Sequence, residues 1–92
     1  MFEFDLSDEF RKILKKLSKK SPVIAKAINR KIREIISMDK EAVLSYKNLR
    51  YGLRNIKRVH ITDWLVITFE VQLENNFILF VKIESRDKVY KR

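Results

Sequence analysis

Apolar residues recur along this chain first with the period of a helix and later with that of a strand. A short alternation comes before both. Phe2, Phe4 and Leu6 are separated by Glu3 and Asp5, which predicts a strand over 2–6. Ser7 followed by Asp8 and Glu9 then starts a helix, with a hydroxyl cap and acids at the positive end of the dipole. Phe10, Ile13, Leu14 and Leu17 continue it at helical spacing. Ser21-Pro22 opens a second helix, with proline where its missing N–H costs nothing. Ile24, Ala27, Ile28, Lys31, Ile32, Ile35 and Ile36 form its stripe, which runs out near Met38-Asp39. The short link 18–21 makes the two helices an antiparallel hairpin.

Beyond that point the period changes to two. Strands are predicted over 54–61, 65–71 and 77–83. Glu74-Asn75-Asn76 reads as a hairpin turn, because Asn tolerates the left-handed conformation. Thr62-Asp63 makes the other turn, with Trp64 beside it. The order is strand, helix, helix and three strands. It predicts an α+β domain, β-α-α-β-β-β, with the helix hairpin packed on one face of a mainly antiparallel four-stranded sheet. No internal repeat, linker or low-complexity stretch interrupts it, so 1–92 is read as one domain.

Alternation also assigns faces. Leu65, Ile67, Phe69 and Val71 form one row of the third strand, and Phe77, Leu79, Val81 and Ile83 one row of the fourth. Both rows are expected against the helices, with Val59 and Ile61 from the second strand. Val66, Thr68, Glu70, Ile78, Phe80, Lys82 and Glu84 then face away. So do Arg54, Ile56, Arg58 and His60. Arg54, Arg58, His60 and Lys82 should gather on the open face, while Lys57 belongs to the core side. A bulge near Asp63 would shift the register by one.

Composition narrows the chemistry. The chain has 92 residues, 46% hydrophobic and 36% charged, which fits one small globular domain. It has no cysteine and one histidine, so a disulfide framework, a thiolate zinc site and a His-rich metal site are excluded. No apolar run is long enough to cross a bilayer and the start is not a signal peptide, so a cytoplasmic location is expected. The net charge is +9. Such a surface attracts nucleic acid, anionic membrane or an acidic protein. The single glycine, histidine and tryptophan all fall within Gly52–Trp64, so the rare chemistry sits in one segment.

Those residues carry a resemblance. The run Arg58-Val-His-Ile-Thr-Asp-Trp-Leu-Val-Ile67 resembles the H-[IV]-x-x-D-W-x-[LV]-I-Y segment of YafQ-like toxins, with the His60-to-Asp63 gap one residue shorter. Leu49-Arg-Tyr-Gly-Leu53 resembles the L-x-G approach to that strand. Arg86-Asp-Lys-Val-Tyr90 resembles the R-x-D-x-Y tail of the wider group. With the element order, the chain resembles the RelE/ParE superfamily of toxins from type II toxin–antitoxin modules.

The resemblance implies a ribosome-dependent mRNA endonuclease. It would act in the A site, helping a ribose 2′-hydroxyl attack its own phosphate, with no metal or other cofactor. Such chemistry needs a proton acceptor, a proton donor and cations at the phosphate. His60 suits proton transfer, because a histidine ordinarily titrates near neutrality. Asp63 either orients His60 or is a plain turn aspartate. Arg86 and Tyr90 match the family's phosphate-binding arginine and its tyrosine. Arg54, Arg58 and Lys82 are either phosphate contacts on the open face or part of a solvated face, and phosphate contact is the expectation. Trp64 either stacks on a base or plugs the sheet edge, and the core position is the expectation. Many RelE-like nucleases carry an arginine early in the third strand, where Leu65 or Val66 stands here.

Lys12, Lys15, Lys16, Lys19 and Lys20, with Lys26, Arg30, Lys31 and Arg33, coat the outside of the hairpin. They are read as ribosomal RNA contacts. The resemblance implies mRNA, the ribosome and a cognate acidic RelB-like antitoxin as partners, and no membrane. Two other classes stay open: a ParE-like topoisomerase poison without nuclease activity, and a basic RNA-binding module.

Overall fold

The computed structural model describes residues 1–48 and 55–85 of the chain. Strand β1 (Glu3–Leu6) leads into helix α1 (Asp8–Lys20). Ser7 caps that helix: its Oγ accepts from the Phe10 N–H at 3.0 Å. The same hydroxyl donates to the Val81 carbonyl at 2.6 Å, so one serine both starts α1 and ties it to the sheet. Ser7→Ala removes both bonds. It should lower stability by about 1–2 kcal/mol. Thermal unfolding followed by circular dichroism should then show a midpoint lower by roughly 5–15 °C.

Helix α2 (Pro22–Ile36) follows α1 after Ser21 alone. The link is shorter than the expected 18–21, because Ser18 bonds back to the Leu14 carbonyl at 2.9 Å and stays helical. A third helix, α3 (Lys40–Leu44), was not expected. Five residues are too few to show a period, but Asp39 caps them, accepting from the Ala42 N–H at 2.8 Å. Its Val43 is buried in the core.

Strands β2 (Ile56–His60), β3 (Leu65–Gln72) and β4 (Phe77–Ser85) form an antiparallel meander. Strand β1 joins β4 in parallel, giving the order β1-β4-β3-β2 in a mixed, mainly antiparallel sheet. A 3₁₀ turn (Leu73–Asn75) links β3 to β4 and closes on Asn76, whose φ of 52° is left-handed. An asparagine there meets the conformation at low cost.

The helices cover one face of the sheet. Phe10, Ile28, Ile32, Ile35 and Val43 meet Leu65, Ile67, Phe69 and Val71, the row expected of β3. Strand β4 departs from expectation. Its core residues are Ile78, Phe80 and Ile83, not Phe77, Leu79 and Val81. The cause is a β-bulge: Thr68 pairs with Lys82, but Phe69 pairs with Phe80, so Val81 has no partner opposite. One extra residue inverts the alternation on one side of it. Ile78 and Phe80 therefore turn inward, and Phe77 and Leu79 sit half-buried on the open face. Lys82 and Glu84 lie beyond the bulge and keep their expected outward direction. Phe80 lies 5.7 Å from Phe69, 5.9 Å from Phe10 and 6.1 Å from Phe4, ring centre to ring centre.

Tyr46 stands edge-on to Phe69 at 5.7 Å. Burial pushes its phenol above the ordinary tyrosine value; Lys31 opposes this and Glu34 adds to it.

Candidate functional site

Strand pairing brings the expected residues together in rows. Val66 lies between His60 on β2 and Glu84 on β4; Thr68 lies between Arg58 and Lys82. Partners in such a row are about 5 Å apart. The two rows are adjacent on β3 and face away from the helices. Val66 and Thr68 are 0% and 3% exposed and form the floor. Arg58, Lys82 and Glu84 are half-buried around it and His60 is exposed. Arg58, His60 and Lys82 thus share one face, as period-two geometry required.

Glu84 is a site residue that sequence reasoning did not single out. Its Oε1 lies 3.6 Å from Lys82 Nζ, a partly exposed ion pair that orients the lysine and offsets some of its charge. The signal was present, because an acid and a base two positions apart on a strand share a face.

Residues 61–64 form the bend between β2 and β3. Thr62 Oγ1 accepts from the Trp64 N–H at 3.3 Å and from the Leu65 N–H at 3.1 Å. The Ile61 N–H donates to the Leu65 carbonyl at 2.8 Å. Trp64 is 53% exposed, so it does not plug the sheet edge from within. The alternation that buries Leu65 turns its neighbour outward. Asp63 is exposed as well. Arg54, Arg86 and Tyr90 lie outside the described residues.

Lys12, Lys15, Lys16, Lys19 and Lys20 are all exposed on α1. They belong to the helix layer, across the sheet from His60. Among the described residues these five make no salt bridge, whereas Lys31 on α2 pairs with Glu34 at 3.2 Å. A cavity of about 460 Å³ opens at the opposite end of the sheet, lined by Asn55, Glu70, Gln72, Glu74 and Asn75 among others. Its charged lining residues are the carboxylates Glu70 and Glu74.

No family model matches the sequence. A protein of Methanocaldococcus jannaschii named as a RelE-type toxin, RelE4, is 38% identical over 92 residues, covering 100% of this chain and 94% of its own. The chain belongs to the RelE family of toxins. Solved structures agree in fold. A metal-bound toxin from Helicobacter pylori superposes with a TM-score of 0.75 at 20% identity, over 98% of this chain and 100% of that one. YafQ from Escherichia coli gives 0.70 at 13% identity, over 98% and 99%. The intact E. coli RelBE toxin–antitoxin complex gives 0.69 at 15% identity, over 91% and 95%. In this RelE-family toxin Leu65 faces the core and Val66 faces the site. Where many RelE-like nucleases carry a strand arginine, the group that meets the open face here is thus the isopropyl of Val66.

Proposed function

We propose that this RelE-family toxin is a ribosome-dependent endoribonuclease that cuts mRNA in the A site and stops translation. The observation that carries the reading is the meeting of His60, Arg58 and Lys82 in two adjacent rows of the open face. The 2′-oxygen of a ribose attacks the neighbouring phosphorus and the bond to the 5′-oxygen breaks. The products are a 2′,3′-cyclic phosphate and a free 5′-hydroxyl. One proton leaves the 2′-hydroxyl and one reaches the departing oxygen; His60 serves one of these transfers. Arg58 and Lys82 stabilise charge on the phosphate oxygens. That load falls on them because Val66 supplies none.

By family resemblance, Arg86 adds a further cation, and Tyr90 stacks on the message or joins proton transfer. Asp63 adds a carboxylate at the rim beyond His60. Trp64, exposed at the end of the same face, offers a ring for a base. The five α1 lysines bind ribosomal RNA phosphates from the other side of the molecule. A ribosomal target places the protein in the cytoplasm. An acidic RelB-like antitoxin silences it by covering the basic surface; the E. coli RelBE fold neighbour, a toxin bound to its antitoxin, supports this.

One observation favours a second reading. The apolar Val66 at the strand-arginine place suits a ParE-like topoisomerase poison that cleaves no RNA. Cell-free translation separates the two. A nuclease turns over, so protein at one-tenth of the ribosome concentration should abolish synthesis. Unimpaired synthesis together with linearised DNA in a gyrase assay would favour the ParE-like reading.

A further inference from the structure

The row that holds His60 ends on a carboxylate that the chemistry above leaves unused. His60 stands opposite Val66, and Val66 opposite Glu84. Neither pairing involves the bulge, which lies between Thr68 and Phe69. Partners in one row project to the same face, about 5 Å apart at each step, so His60 and Glu84 flank Val66 about 10 Å apart, backbone to backbone. Val66 is fully buried, which closes the floor between them with an apolar group.

An acid beside a phosphate site weakens the binding of phosphate. Here the Glu84 side chain is 19% exposed and its Oε1 lies 3.6 Å from Lys82 Nζ. The lysine offsets part of the charge and holds the carboxylate at the edge of the floor. Phosphate binding alone gives no reason for an acid in this row. Proton transfer gives one.

In-line displacement puts the entering and leaving oxygens on opposite sides of phosphorus. One proton must leave on one side and one must arrive on the other, so two carriers have to flank the phosphate. We infer that Glu84 is a catalytic residue, the general base, with His60 as the general acid. An ionised carboxylate only accepts and a charged imidazole only donates, so charge decides which does which. The 2′-oxygen bonds to phosphorus as its proton passes to a Glu84 carboxylate oxygen. The bond from phosphorus to the 5′-oxygen breaks, and that oxygen takes a proton from His60. Glu84 ends as the neutral acid and His60 as the neutral imidazole, and exchange with water restores both. The inference deepens the nuclease reading and rests on it.

The test is single-turnover cleavage of ribosome-bound message by the full chain. Two messages are compared, one ordinary and one with sulfur replacing the 5′-oxygen at the bond the unaltered protein cuts. A thiolate leaves without a proton, so the sulfur message needs a base but no acid. On the ordinary message Glu84→Gln should slow cleavage by about 10²–10⁴-fold, as His60→Ala does. On the sulfur message the His60→Ala loss should shrink at least about tenfold and the Glu84→Gln loss should remain. If Glu84→Gln does not fold, Glu84→Asp carries the same comparison, with a smaller loss that sulfur also leaves in place. Lys82→Gln separates a base from a residue that acts through the lysine: adding Glu84→Gln to it should slow cleavage again by a similar factor. No further slowing in that double variant would overturn the base role. So would near-normal cleavage by Glu84→Gln, or a Glu84→Gln loss that sulfur repairs. No cutting by the unaltered protein would end the nuclease reading itself, and this inference with it.

Discussion

Phe80→Ala should lower the unfolding free energy by about 3–5 kcal/mol, and Leu79→Ala by less than half as much. Phe80 is fully buried and touches the rings of Phe4, Phe10 and Phe69, so truncation opens a cavity among side chains from β1, α1 and β3. Leu79 lies half-buried on the open face, where water replaces what is removed. A domain this size is stable by only about 5–10 kcal/mol, so the Phe80 variant should be close to unfolded at 37 °C. Urea unfolding of both variants decides the matter. Equal sensitivity, or greater sensitivity at Leu79, would mean that β4 alternates without the bulge at Val81.

That comparison marks where the sequence was legible. The α1 and α2 stripes, the Ser7 cap and Pro22 are local signals, and each element formed where its signal stood. The β3 row was readable because Leu65, Ile67, Phe69 and Val71 alternate without interruption. Strand β4 is apolar at Phe77, Ile78, Leu79, Phe80 and Val81 in succession, so either row could have been the inner one. Pairing with β3 settles the choice through the bulge, and pairing is not a local property. The short α3 depended on a single cap. At the site, Arg58 and His60 were legible because β2 alternates without interruption, and Lys82 because it and Glu84 lie beyond the bulge. Trp64 was misjudged because apolar bulk suggested core, while its place in the bend turned it out.

His60→Ala should slow mRNA cleavage by about 10²–10⁴-fold while leaving the fold intact. The side chain is exposed at the end of β2 and belongs to no core row, so its loss should change stability by no more than about 0.5 kcal/mol. RNA binding should weaken little, because the phosphate is held by the arginine and lysine of the neighbouring row. Single-turnover cleavage of ribosome-bound message, compared at matched folded fractions, reads the effect. A loss below about tenfold would exclude His60 from proton transfer and shift that role to Tyr90.

The most direct test is primer extension on an mRNA incubated with the purified protein, with and without ribosomes from a matching source. The account predicts new 5′ ends inside codons, present only when ribosomes are added and faint with His60→Ala or Arg58→Gln. An intact message in every lane, with folded protein and active ribosomes, would contradict it. So would equal cutting in the absence of ribosomes.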